Sequence, residues 1–168
     1  VLENDEIPAI TTPYFNFFEL DVLCQMGKLT EVLDKIRSYW GGMLDLGAVT
    51  FWEEYDPSVP KEEQYDMYGD HFGKSLCHAW AASPIYFLAK YFAGLDLVNK
   101  DGVTYVLKPQ MQYFTDLDCI LPVGSDGTVR LAWDGECLEV IADAEGGVLE
   151  LGEEKISLVR GETRRVKI

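Results

Sequence analysis

The stretch "IYFLAKYFAGLDLVNKDGVTYVLKP", residues 85–109, decides the fold, because the hydrophobic period changes inside it. Before Gly94, Ile85, Leu88, Tyr91 and Phe92 recur at helical spacing. From about residue 96 the period falls to two, and "VTYVLKP" reads as the start of a series of short strands. The change at 94–97 divides the chain into residues 1–95, mainly helical, and 96–168, mainly strand.

Upstream of the quoted stretch, Thr12 and Pro13 fit an N-cap and first helical position. Tyr14, Phe17, Phe18, Leu20, Leu23 and Cys24 follow at helical spacing, and Gly27 ends the run. Thr30 can cap a second helix carrying Val32, Leu33, Ile36, Tyr39 and Trp40, with Gly41-Gly42 as its stop. The short "GKLT" connection predicts an αα-hairpin. Residues 41–75 are polar and irregular. Ser83-Pro84 leaves two options open: a kinked helix, or a fresh one capped by Ser83 and stopped at Gly94.

Downstream, "LDCILPV", "TVRLAWD", "CLEVIAD", "GVLELG", "KISLVR" and "RRVKI" are separated by turn signals, of which "GSDG" at 124–127 is the clearest hairpin. Six or seven short antiparallel strands fit a small β-sandwich, with Trp133 in its core. The fold class is therefore α+β. Two or three long helices cannot close a bundle of their own. Phe17, Phe18, Trp40 and Phe51 call for neighbours, so the helical part reads as the end of a larger helical array.

With 48% hydrophobic residues, the chain can build a core. A net charge of -15 argues against nucleic acid and against an anionic membrane surface, and no apolar run is long enough to cross a bilayer. Cys24, Cys77, Cys119 and Cys137 form no CxxC pair and are expected to be reduced, three of them buried. "HFGKSLCH", which holds both histidines, matches no common zinc spacing, so no metal site is expected. No signal peptide is visible; Val1 is not an initiator methionine, and the chain is read as a piece of something longer.

The chemistry concentrates in "LGAVTFWEEYDPS", residues 46–58. Two adjacent carboxylates, Glu53 and Glu54, follow Trp52, whose flat ring suits stacking on a sugar face. Taken alone, Glu53 reads as a turn carboxylate and Trp52 as packing. Together with "FGKSLCHAWAASPIYFLAKYFAGL", the region closely resembles the late catalytic part of bacterial α-L-rhamnosidases of the inverting class. The resemblance rests on Gly47, Ala48, Val49, Thr50, Phe51, Trp52 and Glu53, followed by His78 about 25 residues on. Val49 departs from the usual threonine but keeps a β-branched side chain. The likeness covers residues 10–95; beyond them only position and strand count agree.

That resemblance implies the terminal helices of a six-hairpin (α/α)6 toroid followed by a small antiparallel β-sandwich. It implies release of terminal α-L-rhamnose with inversion, Glu53 being the general base. His78 is similar to a sugar-contacting residue, and Trp52 or Trp80 would form the aromatic wall. No cofactor is implied. The partners would be a rhamnose-containing glycoside or polysaccharide and the remainder of the chain's own barrel. The family's general acid lies in an upstream region with no counterpart here, so the 168-residue chain alone is expected to be inactive. Glu54, facing solvent or a positioning partner, is expected to affect hydrolysis only mildly when changed to glutamine. An exposed helical hairpin would present an apolar face, for which a homodimer is one rescue. Secreted, periplasmic and cytoplasmic placements stay open. The competing reading is a non-catalytic carbohydrate-binding module using Trp52, Tyr55 or Tyr68 as platforms, and a third is a structural role.

Overall fold

A computed structural model describes residues 10–100, 103–125 and 127–168, and the chain folds as two compact units, Val1–Tyr86 and Phe87–Ile168. It is a mixed α+β fold: helices come first, then two four-stranded sheets.

In the first unit, α1 (Pro13–Gln25) starts behind an extended Thr12, and Pro13 occupies the first helical turn, where its missing N–H leaves no intrahelical bond unmade. The Thr12 side chain makes no capping bond. Gly27, at φ 73°, turns the chain after the helix. Leu20, Leu23 and Cys24 are buried, whereas Tyr14, Phe15, Phe18, Val22 and Met26 are exposed, so α1 carries apolar side chains on both faces.

The second helix starts at Leu29, one residue before the expected cap Thr30. It runs as α2 (Leu29–Lys35), widens into a π-helical turn over Ile36–Trp40 and continues as α3 (Gly41–Asp45). Gly41-Gly42 thus does not stop the helix, contrary to the sequence expectation. Tertiary packing overrides the propensity: a Cβ at Gly42 would fall 2.4 Å from the Tyr55 hydroxyl, so the bare backbone admits that ring. The helix ends where Gly47 takes φ 91°.

Ser83-Pro84 resolves as a fresh helix. After a 3-10 turn (Ala79–Ala81), α4 (Ser83–Phe87) begins and passes into a π-helical turn over Leu88–Phe92. The second unit starts before the change of hydrophobic period because these residues belong with the sheets. The ring of Phe92 meets Tyr113 and Phe114 edge-on, and its carbonyl accepts from the Gln110 N–H at 2.8 Å.

The strands are β1 (Leu95–Lys100), β2 (Val103–Leu107), β3 (Leu117–Val123), β4 (Gly127–Trp133), β5 (Cys137–Asp143), β6 (Gly147–Leu151), β7 (Glu154–Leu158) and β8 (Thr163–Lys167). One sheet has the order β1-β2-β6-β7 and the other β3-β4-β5-β8. The β3–β4 hairpin closes on the Val123↔Gly127 pair, as "GSDG" predicts, although Asp126 itself and the "DG" of the earlier "NKDG" signal lie outside the described residues. Two expectations are corrected. There are eight described strands rather than six or seven, β1 having been missed because its exposed alternation is weak, and β2 pairs with β6 in parallel. Tyr105, Leu107 and Leu149 from one sheet join Val129, Leu131, Leu138 and Val140 from the other in one buried cluster. Trp133 packs on it partly buried and donates its indole N–H to the Phe114 carbonyl. No disulfide joins the four cysteines, and among them only Cys24 is buried.

Candidate functional site

The first unit brings two distant segments side by side. The Glu53 N–H donates to the Ser75 carbonyl at 2.9 Å, the His78 N–H donates to the Phe51 carbonyl at 2.8 Å, and the Thr50 hydroxyl donates to the Leu76 carbonyl. These bonds fix Glu53 against His78 even though neither segment is helix or strand. Loop backbone can carry such a site when its polar groups are paired this fully.

Glu53 is 6% exposed, and both of its carboxylate oxygens are engaged. Oε1 accepts from the Tyr68 hydroxyl at 2.8 Å and Oε2 from the Ser75 N–H at 3.1 Å, while His78 Nδ1 lies 3.7 Å from Oε2. Burial pushes this carboxyl up. The Ser75 N–H, the Tyr68 hydroxyl, and then His78 and Lys74 act against burial and outweigh it, holding the group below its ordinary value. The result is a covered but ionised carboxylate.

The other candidates separate into two kinds. His78 lies with its ring 4.2 Å from that of Trp80, which is 44% exposed and also meets Tyr14 at 5.6 Å. Trp52, in contrast, is 3% exposed and packs edge-on against Tyr65 at 5.6 Å, so in this structure its ring faces protein rather than solvent. The structure therefore gathers Glu53, His78 and Trp80 at an open surface and sets Trp52 behind them as support.

Glu54 takes a different set of partners. Its Oε1 accepts from the Thr11 hydroxyl at 2.7 Å, and its Oε2 lies 4.0 Å from the Lys74 ammonium. Lys74 is a buried cation; burial pulls it below its ordinary value, with Glu54 foremost among the carboxylates opposing that. Thr11 in turn accepts, through its carbonyl, from the Tyr55 N–H at 3.1 Å and from the Tyr39 hydroxyl. Burial pushes that Tyr39 phenol far up, so it stays protonated and keeps donating.

Ser75 and Lys74 carry no sequence signal for these roles, since a backbone donor has no side-chain signature and a lone lysine in a polar loop reads as solvated. Tyr68 carries no signal for this role either: Tyr68-Gly69 forms the tip of a small hairpin in the structure, but Tyr-Gly is not one of the dipeptides that mark such a turn. Among the described residues no group of three His, Cys, Asp or Glu side chains is arranged to hold a metal ion, and no helix is long and apolar enough to cross a membrane.

A cleft of about 970 Å³ lies elsewhere, in the second unit, where Trp133, Phe114, Gln110, Gln112 and Glu150 line it. Size alone would favour it. It brings together no acid–base pair comparable to Glu53 and His78, and its one carboxylate, Glu150, is already tied to Lys108 at 2.8 Å and Lys155 at 2.9 Å. The chemistry points to the Glu53 cluster. No protein-family model matches the chain, and no curated protein matches it at a significant level.

Proposed function

We propose that this chain is the C-terminal piece of an inverting α-L-rhamnosidase-like glycoside hydrolase, with Glu53 as the general base. The observation that carries the reading is the state of Glu53: a covered carboxylate, held ionised by Ser75 and Tyr68, beside His78 and an exposed Trp80. A general base must be ionised in the free enzyme, and these donors favour that form. In the reaction, Glu53 takes a proton from a water as its oxygen attacks the anomeric carbon. The glycosidic bond breaks on the opposite face, and the leaving oxygen receives a proton from a separate acid.

In this reading the acid is supplied by the rest of the barrel, at about 6.5–9.5 Å from the base so that water fits between them. His78 would hold a sugar hydroxyl, and Trp80 would stack on the apolar face of the ring. The outward Tyr14, Phe15, Phe18 and Val22 of α1 support the idea of missing helical neighbours, because an apolar stripe of this kind is normally covered. The two sheets are read as the sandwich that follows the barrel, a reading supported by the buried cluster to which both contribute.

Hydrolysis of an aryl α-L-rhamnoside by the complete protein and by the 168-residue chain tests this. Cleavage by the complete protein alone, lost by a factor of at least ~10² in Glu53→Gln with sugar binding retained, is the expected result. A near-normal rate in Glu53→Gln removes Glu53 from the base role. Rhamnose binding without turnover in any longer protein would favour the carbohydrate-binding reading, for which exposed Trp80 and Tyr68 serve better than buried Trp52.

A further inference from the structure

Tyr68 is the described non-glycine residue with positive φ, at 55°, and Gly69 follows at 82°. Met67 and Asp70 exchange both backbone hydrogen bonds at 2.9 Å across these two residues. Two central residues at positive φ are the signature of a type I′ hairpin turn, in which the first position favours Asn, Asp or Gly. A tyrosine there is strained, since its Cβ crowds the backbone. Packing does not explain the choice, because the side chain is 81% exposed. What the side chain does make is the 2.8 Å bond from its hydroxyl to Glu53 Oε1.

The turn is built to hold that geometry. Asp70 Oδ1 accepts from the Phe72 N–H at 3.0 Å, the Gly73 N–H donates to the Asp70 carbonyl at 3.2 Å, and a Cβ at Gly73 would lie 2.2 Å from the Met67 carbonyl oxygen. The hairpin tip thus closes tightly on itself. Its strained residue reaches back across fifteen positions of sequence to one oxygen of the buried carboxylate.

We propose that Tyr68 is a positioning residue for Glu53: the strained turn aims the phenol at Oε1, and the phenol and the Ser75 N–H together fix the plane of the carboxylate from its two ends. This rests on the reading of Glu53 as the functional carboxylate and deepens it. The hydroxyl bond favours the ionised form of Glu53, and reciprocally the Glu53 carboxylate pushes the Tyr68 phenol up, so the pair stays phenol plus carboxylate. The other groups acting on Glu53, His78 and Lys74, pull in the same direction.

The test is a pH titration of the Glu53 carboxyl carbon by 13C NMR in the 168-residue chain, with Glu54 as the internal control. Tyr68→Phe removes the hydroxyl and keeps the ring; it should raise the Glu53 midpoint by roughly half a unit to one unit, with Glu54 moving much less. Tyr68→Gly, which relaxes the turn and also removes the hydroxyl, should give the same upward shift. A Glu53 midpoint unmoved in both variants overturns the proposal, as does an equal shift of Glu54. The titration needs no sugar and no turnover. An unmoved midpoint therefore defeats the clamp while the base role of Glu53 stands, and a full rate in Glu53→Gln defeats that base role while the bond from Tyr68 to Glu53 stands.

Discussion

Replacing Trp40 by phenylalanine tests how the site is anchored. Trp40 ends the π-helical turn, is 5% exposed, meets Tyr39 edge-on at 4.7 Å, and donates its indole N–H to the Ala81 carbonyl at 2.8 Å. Ala81 belongs to the 3-10 turn that follows His78 and contains Trp80, so this bond ties the helical face to the segment carrying two candidate residues. Phenylalanine removes roughly 40 Å³ of buried ring, worth ~1 kcal/mol at about 24 cal/mol per Å³ of cavity. It also withdraws the donor from a buried carbonyl, which costs about 1–3 kcal/mol when nothing replaces it. The sum is about 2–4 kcal/mol, a large part of the stability of a small domain.

Urea unfolding followed by tryptophan fluorescence suits the measurement, because Trp52 and Trp80 remain in the first unit and only Trp133 lies in the second. The expected result is a lower midpoint for the Trp52 and Trp80 transition, with the backbone resonances of His78 and Trp80 displaced. A loss below ~0.5 kcal/mol, within what an ordinary surface change produces, would refute the reasoning: the Ala81 carbonyl would then have another donor, and the indole bond would not be the tie.

Gly42→Ala should destabilise by ~1–3 kcal/mol despite alanine's better helix propensity, because its methyl meets the Tyr55 ring; Tyr55→Leu should relieve the clash, giving a non-additive double-mutant cycle in urea. Leu131→Ala, fully buried in the cluster of the second unit, should cost about 2–5 kcal/mol by the loss of far-ultraviolet strand signal on denaturation. Glu53, depressed in the folded state, contributes stability that is complete above its unfolded value of about 4.3 and disappears as pH falls through the lower folded value; urea midpoints from pH 6 to 3 should fall less steeply in Glu53→Gln. Arg130 grips Asp118 through two bonds of 2.8 and 2.6 Å, but the pair is exposed and screened by water, so Arg130→Met should leave the thermal midpoint nearly unchanged in a calorimetric scan.

Where local chemistry decides, the sequence could be read. Pro13 and Gly27 bracket α1, and the runs from β2 to β8 alternate cleanly enough to be placed. The sequence failed where distant residues decide. Gly41-Gly42 reads as a stop until Tyr55 is known to need the missing Cβ, and the parallel pairing of β2 with β6 joins segments some forty residues apart. The candidate site divides the same way. Glu53 and His78 were found through a motif and do lie together. Which tryptophan faces solvent could not be found, because Trp52 is covered by Tyr65, a residue of the loop that sequence leaves shapeless.

Glu53 and Glu54 show most clearly what spacing cannot convey. They have the same chemistry at adjacent positions, yet one meets a phenol and a backbone N–H, and the other a threonine hydroxyl and a buried ammonium. The mild effect expected of Glu54→Gln concerns hydrolysis, and stability is a separate quantity. Glutamine can still accept from Thr11, but it withdraws the nearest counter-charge from Lys74, whose side chain is 4% exposed. Leaving a covered cation with weaker support costs about 1–3 kcal/mol, below the figure for a fully buried pair because Glu54 is itself partly open to water. Lys74→Met removes the cation, so the double variant Glu54→Gln/Lys74→Met should recover most of the loss. A Glu54→Gln chain as stable as the parent would show that Lys74 reaches solvent, and the two carboxylates would then differ only in what holds Glu53.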